Sequence, residues 1–503
     1  MKLRPYQIDF CNEIAKSLIK NKSVIAQSPT GSGKTVMLAY LIDRYLRKFT
    51  GSSVFICVHR VELVAQTSEK LLAIGLKSYP IIAGIKNVPR GQGIYICMAE
   101  TLNNRIDILG FAPDLLIVDE SHIGSHFKII DRYKENALIL GFSATPVSNK
   151  KKPLKNYFNE IITGPSVKKL IDDGFLAPPQ TFTRSGNIDK KALKVQAGDY
   201  SDASQYAQLG NPKQLLNTYG AYLALAPGKK TVIFNCNIEH NNKVTELFIN
   251  HDIPCRSVDG NTDAVTRAEI FEWFRSTDGA VLANVGIATT GFDEPTVECI
   301  ILNFVTKSLA KYIQCIGRGS RPYPGKKCFK IIDLGENYQD FGLWEHPQDW
   351  YSLFHYPEKP GTGAAPTKMC SNDDCGNIVH LSVTICPSCG HLMPRENTYD
   401  QRIDTFSCIA RYKGPAVDMA KDIAKVSALG FNEYYPLMKM LESSVVEARK
   451  ITDKMTPQLE KKIKEQSYIA CETFYESVGK KFGSGHKGYI NKIILKHINL
   501  KFL

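Results

Sequence analysis

SPTGSGKT (28–35) follows the apolar run VIAQ (24–27) and precedes the helical pattern VMLAYLIDRYL. Strand, glycine-rich loop and helix in that order are what a phosphate-binding loop requires. Gly31 and Gly33, with Thr30 and Ser32 beside them, let the backbone turn tightly and aim N–H groups at phosphate oxygens. The new helix adds its positive end. Lys34 is placed to neutralise the β and γ phosphates of ATP, and Thr35 to bind Mg²⁺ through its hydroxyl. Ser28 stands where the general pattern has glycine. A chance glycine-rich turn is the competing reading, and the GKT ending in this context argues against it.

Such a loop needs a metal-binding carboxylate on a neighbouring strand, and LLIVDESH (115–122) supplies one. Its apolar run reads as a buried strand with Asp119 and Glu120 at the C-terminal end, the edge where parallel sheets bind ligands. Asp119 is expected to hold Mg²⁺, and Glu120 to orient and deprotonate the attacking water. SVFICV (53–58), GIYIC (93–97) and LILGFSAT (138–145) also read as strands, with helical stretches between them. TVIFN (231–235), CRSVDG (255–260), GAVLANV (279–285), CIILNF (299–304) and CFKIIDL (328–334) repeat the rhythm. Alternating strands and helices predict two parallel-sheet units in tandem.

QCIGRGSRP (314–322) sets Arg318 and Arg321 three apart, on one face of a helix. A guanidinium fork suits a carboxylate or a phosphate. No phosphate loop precedes them nearby, so spacing alone leaves their anion open.

In order along the chain these segments resemble the motifs of the superfamily 2 helicases, on their DExH side. LRPYQ (3–7) resembles the adenine-recognising segment, with Arg4 and Gln7 as nucleotide contacts. VHRVELVAQT (58–67) and MAETL (98–102) resemble motifs Ia and Ib, which implies nucleic-acid contacts at Arg60 and Thr101. SAT (143–145) resembles motif III, implying that Ser143 and Thr145, with His122, couple the nucleotide site to the nucleic-acid track. TVIFNCNIEH (231–240) resembles motif IV. ANVGIATTGFDEP (283–295) resembles motif V, with Gly291 and Asp293 lining the cleft. QCIGRGSR (314–321) matches motif VI, with Gln314 bridging the domains, Arg321 as arginine finger and Arg318 as a second γ-phosphate contact. The likeness covers about residues 1–340.

CSNDDC (370–375) and CPSC (386–389) place Cys370, Cys375, Cys386 and Cys389 as two short pairs. Four thiolates at this spacing fit a closed, structural Zn²⁺ site; His391 is a possible substitute ligand. A helicase core followed by such a ribbon resembles the RadD-like bacterial repair helicases. The other ten of the 14 cysteines are scattered singly, which does not suggest a secreted disulfide framework.

The expected fold class is α/β: two tandem RecA-like P-loop domains, then a small zinc ribbon and a mainly helical C-terminal domain. Expected boundaries are 1–165 (ATP-binding), 166–215 (linker or insertion), 216–345 (second RecA-like domain), 346–365 (linker), 366–395 (ribbon) and 396–503 (basic helical region). The net charge of +13 favours a polyanionic partner. Residues 401–503 carry 18 lysines and arginines against 11 acids, with aromatics among them. No apolar run reaches membrane-spanning length and MKLRPYQIDF holds no apolar signal core, so a cytoplasmic protein without a membrane partner is expected. The expected function is an ATP-dependent DNA helicase or translocase in repair, recombination or replication. An RNA helicase and an ATP-gated nucleic-acid clamp in a defence or restriction assembly stay open. A plain P-loop kinase would leave the paired arginines unexplained.

Overall fold

The structure is a computed structural model. It describes residues 3–393, apart from 86, 148–151, 184–187, 289–291, 357–366 and 373–374. Gly291 and the tail expected to be helical, 396–503, lie outside the described residues.

The first sheet is built from β1 (Ser23–Gln27), β2 (Ser53–Val58), β3 (Ser78–Ile81), β4 (Gly93–Met98), β5 (Leu115–Asp119), β6 (Leu138–Ser143) and β7 (Glu160–Thr163). The strands are parallel in the order β3-β4-β2-β5-β6-β1-β7. β1 and β2 are buried along their whole length. Helices cover both faces of such a sheet, which is why its strands read as continuous apolar runs. Helix Pro5–Asn21 buries Phe10, Cys11, Ile14 and Leu18, and helix Lys34–Lys48 buries Met37, Leu38, Leu41 and Ile42. That three-to-four spacing turns one stripe of each helix to the core. Register matters for the site. Gln27 lies opposite Ser143, and Asp119 opposite Phe142. The ends of β1, β5 and β6 therefore stand abreast.

The second sheet holds β8 (Pro179–Phe182), β11 (Thr231–Asn235), β12 (Cys255–Val258), β13 (Val281–Asn284), β14 (Cys299–Asn303), β15 (Phe329–Asp333), β16 (Thr367–Met369) and β17 (Asn377–His380). A short hairpin, β9 (Val195–Gln196) and β10 (Asp199–Tyr200), lies apart from it. The order is β12-β13-β11-β14-β15-β8-β17-β16, with only β17 and β16 antiparallel to their neighbours.

Three segments depart from their expected character. The stretch 166–215, read as linker or insertion, contains β8, which pairs with β15 inside the second sheet. Its four residues open on Pro179, and proline at a strand's first position masks the pattern of a strand. The stretch 346–365, also read as linker, contains helix Trp350–His355, which crosses back to the first domain. Phe354 is fully buried there with Phe127, Ile139, Phe158 and Ile161. The cysteine ribbon is no separate bead, because β17 pairs with β8 and extends the second sheet.

Candidate functional site

The phosphate loop leaves β1 with Gly31 and Gly33 at φ +84° and +85°, which side chains with a Cβ rarely adopt. Ser32 is fully buried; its Oγ donates to Pro29 O (2.6 Å) and lies 2.7 Å from Ser28 Oγ. The serine at the atypical first position thus braces the loop from inside. Tyr6 Oη and Gln7 Nε2 both donate to Ser32 O, at 2.7 and 2.9 Å. A Cβ at Gly33 would stand 2.5 Å from Gln7 Nε2. Gln7 Oε1 accepts from Arg4 N at 3.0 Å. Each end of the Gln7 amide makes one bond to the protein, so Gln7 props the loop and keeps one N–H and one lone pair over. The Arg4 guanidinium lies 4.3 Å over the Phe175 ring.

A cavity of about 330 Å³ opens above the loop. Its walls include Thr30, Gly31, Gly33, Lys34, Thr35, Asp119 and Glu120 from the first domain, and Asp293, Arg318 and Arg321 from the second. Residues nearly three hundred positions apart face one space because motif VI packs onto the loop: a Cβ at Gly317 would stand 2.9 Å from Thr30 Cβ. Arg318 Nη1 donates to Phe292 O at 2.8 Å. Arg321 forms an ion pair with Asp293. His59, Leu63, Gln66 and Lys70 also line the cavity and escaped the sequence reading. Leu63, Gln66 and Lys70 recur at helical spacing in helix Val61–Leu72, a signal that could have been found.

Electrostatics separate the two carboxylates. Burial and the neighbouring Glu120 charge push Asp119 up to about 6, and Lys34 only partly opposes them. A buried carboxylate so short of positive charge suits a cation, and Thr35 lines the same cavity with a hydroxyl ligand. Burial pushes Glu120 up too, but Lys34, His122, His59 and Arg318 outweigh it and hold the carboxyl below its usual range. Glu120 takes φ +48°, a conformation rare for residues with a side chain and concentrated at functional positions.

A polar chain leads away from Glu120. His122 Nδ1 lies 3.6 Å from Glu120 Oε2 and 2.8 Å from Ser143 Oγ. Ser143 Oγ accepts from Thr145 N at 3.0 Å, and Gln314 Nε2 donates to Thr145 Oγ1 at 3.4 Å. The residues read as coupling elements are therefore in contact, and the chain crosses between domains at its last link. Burial lowers the His122 pKa against the pull of Glu120, which favours the neutral ring.

Two expected nucleic-acid contacts sit differently. Arg60 Nη1 and Nη2 donate to Ile287 O (3.3 Å) and Gly286 O (3.5 Å) of the second domain. Beside it Arg267 pairs with Glu62 at 2.9 Å. In this closed arrangement Arg60 bridges the domains, because carbonyl oxygens lie within reach of its fork. Thr101 is half-buried in helix Ala99–Arg105, away from the cavity lining.

The ribbon gathers its thiols. The sulfurs of Cys370, Cys375, Cys386 and Cys389 all lie within 4.8 Å of one another, with Cys370–Cys389 and Cys375–Cys386 at 3.7 Å. A tetrahedron with Zn–S of about 2.3 Å has edges of about 3.8 Å, so the set fits zinc. Asn377 Nδ2 donates to Cys386 Sγ (3.5 Å) and Asn372 Nδ2 to Cys389 Sγ (3.8 Å), the supporting bonds that thiolate ligands need. His391 is not in the cluster; its carbonyl accepts from Cys386 N.

Comparison with known proteins agrees with this geometry. Residues 1–148 match the family described as type III restriction enzyme, res subunit, and residues 213–322 match the helicase conserved C-terminal domain. A 51.5 kDa protein of a Lactococcus phage is 30% identical over 381 residues, spanning 75% of this chain and 79% of that protein. This chain belongs to the superfamily 2 helicases. Members are nucleic-acid-dependent ATPases, and the split cavity is the arrangement that class requires. A Saccharomyces cerevisiae protein named as the ATP-dependent helicase IRC3 is 29% identical over 353 residues, covering 66% of this chain. The chain spans about half, 51%, of that relative's length. A fragment of an HsdR subunit of a type I restriction enzyme from Vibrio vulnificus shares the fold, with a TM-score of 0.54 and 22% identity. The overlap covers 68% of this chain and 67% of that one. Among the described residues no helix is long and apolar enough to cross a membrane.

Proposed function

We propose that this chain is an ATP-driven DNA helicase or translocase that moves on or remodels DNA during repair, recombination or replication. The observation carrying the reading is the shared cavity: Lys34 and Glu120 face Arg318 and Arg321 across the domain boundary. Lys34 and the loop N–H groups bind the triphosphate. Thr35 and Asp119 would hold Mg²⁺, which would neutralise part of the triphosphate charge. Glu120, held ionised, takes a proton from the attacking water. Arg321 gives up Asp293 for the developing charge on the γ-phosphoryl group, and Arg318 supports it. His122, Ser143, Thr145 and Gln314 carry the change between domains.

DNA is favoured over RNA by the restriction-enzyme family to which residues 1–148 are similar and by the HsdR-like fold. The resemblance to RadD-like repair helicases rests on the ribbon following the core and on the phrases LRPYQ (3–7), VKKLIDDGFLAPP (167–179), TTGFDEP (289–295) and QCIGRGSRP (314–322). The test is ATPase activity with single-stranded, duplex, forked and four-way DNA, with RNA in parallel, followed by strand displacement. DNA should stimulate more than RNA, and stimulation should fall steeply with salt, since backbone contacts dominate. Preferential RNA stimulation would favour an RNA helicase. Hydrolysis without translocation would favour a clamp.

We further propose that the four cysteines hold one structural Zn²⁺. Because β17 pairs with β8, loss of the metal should weaken the second domain as well as the ribbon. Cys386→Ser is expected to abolish bound zinc, measured by colorimetric release. It should also lower the melting temperature by several degrees, roughly 2–4 °C per kcal/mol lost. Wild-type chain that releases no zinc on thiol modification would refute the site.

A further inference from the structure

The chain passes between the two α/β domains twice, and the second passage has no role in the mechanism above. The first runs through 164–166, from β7 to helix Val167–Asp172, whose Leu170 lies in the second core. The second begins at Trp344, buried in the second core, and ends at Phe354, buried in the first. Trp350, between them, packs against both cores. By β16 the chain is back in the second sheet. Segment 343–355 is therefore a clasp that leaves the second domain, is gripped by the first and returns.

The clasp holds the helix that leads to motif VI. Trp344 Nε1 donates to Ile313 O at 3.2 Å, and Tyr312 Oη donates to Gly342 O at 3.0 Å. Tyr312 and Ile313 belong to helix Leu309–Gly317, whose Gly317 packs on Thr30 of the phosphate loop. Both passages line one cavity of about 260 Å³, together with Pro29 of that loop and Ile313. The Arg60 contacts lie elsewhere: Arg60 follows β2, and its partners Gly286 and Ile287 follow β13. Each of these strands stands four places from the strand that the first passage leaves or leads to, β7 or β8. At the usual strand spacing that is roughly 19 Å. One side of the cleft is thus joined by two chain passages, and the other by Arg60 and the Arg267–Glu62 pair.

We infer that the clasp is a second hinge strand, which confines opening of the cleft to the β2–β13 side and keeps motif VI near the phosphate loop. Trp344 and Phe354 are its positioning residues. Trp350 follows Trp344 by six residues, a reach of at most about 20 Å when fully extended. So short a tether keeps Arg318 and Arg321 at a high effective concentration over the nucleotide, and less of the free energy of ATP binding goes into closure. This inference rests on the split site proposed above.

The test uses the full chain with DNA-stimulated ATPase. A glycine–serine insertion after the exposed Pro347, as long as the tether itself, doubles its length and keeps both anchors. Fluorophores at the exposed Leu72 and Val265, carried by unnatural amino acids, report the separation of the domains. The insertion should raise KM for ATP about three-fold, the effect of doubling a loop. At saturating ATP and DNA, kcat should stay near wild type, unlike the loss expected when an arginine of motif VI is removed. Energy transfer without nucleotide should fall, and the non-hydrolysable analogue AMP-PNP should restore it. Phe354→Ala should raise KM at least as far, and Phe354→Leu, which refills the anchor site, should return it toward wild type. Unchanged energy transfer or a wild-type KM in the insertion variant would overturn the inference, and that variant decides if Phe354→Ala no longer melts cooperatively. Wild-type kcat in Arg321→Ala would remove the split site itself, whatever the clasp does.

Discussion

Glu120→Gln should bind ATP and DNA with near wild-type affinity and hydrolyse ATP about 10²–10⁴-fold more slowly, the range that positioned general bases contribute. The amide keeps the shape of the carboxylate but takes no proton. Glu120 suits the role because Lys34, His122, His59 and Arg318 outweigh its burial and hold it ionised. Asp119, one residue earlier and pushed up to about 6, is better matched to a cation. Single-turnover hydrolysis beside equilibrium binding of AMP-PNP separates chemistry from affinity. The variant should also trap the ATP-bound state on DNA. Normal turnover would move the base elsewhere.

Arg321→Ala should cost about 10³-fold or more in kcat, as removal of an arginine finger does. Arg321→Lys should recover little, because an ammonium cannot reproduce the planar fork. The structure adds a refinement. Arg321 is paired with Asp293, itself half exposed at the mouth of the same cavity. On the proposed mechanism the guanidinium exchanges Asp293 for the γ-phosphoryl group during the reaction. Loss should therefore fall mainly on kcat, while AMP-PNP binding changes little. The measurement is steady-state ATPase with saturating DNA. A nucleotide-loaded structure with both arginines turned to bulk solvent would contradict the motor reading.

Some features could be read without coordinates because they are local. A phosphate loop is a strand, a tight turn and a helix in unbroken succession, so SPTGSGKT after VIAQ suffices. Asp119 and Glu120 at the end of an apolar run are placed by the strand itself. The spacing of Arg318 and Arg321 predicts one helix face, but helix Leu309–Gly317 ends before both; they reach the same cavity from the turn that follows the helix, which the three-residue spacing does not describe. The elements that were missed are those whose meaning lies in distant pairing. β8 is four residues opening on proline, and it becomes a strand because β15 and β17 lie on either side of it. Helix Trp350–His355 sits in a polar, proline-rich stretch, yet Phe354 fills the core of the other domain.

The sequence alone determined the nucleotide chemistry, the tandem α/β plan and the four-thiol cluster, since each is written in contiguous residues with fixed spacing. Tertiary structure decided that Arg60 bridges domains, that Gln7 braces the loop, that the ribbon continues the second sheet and that His59 lines the same cavity as Glu120. Those facts depend on strand order and register, which are set by burial and hydrogen bonding between segments far apart in the chain. No local pattern records them.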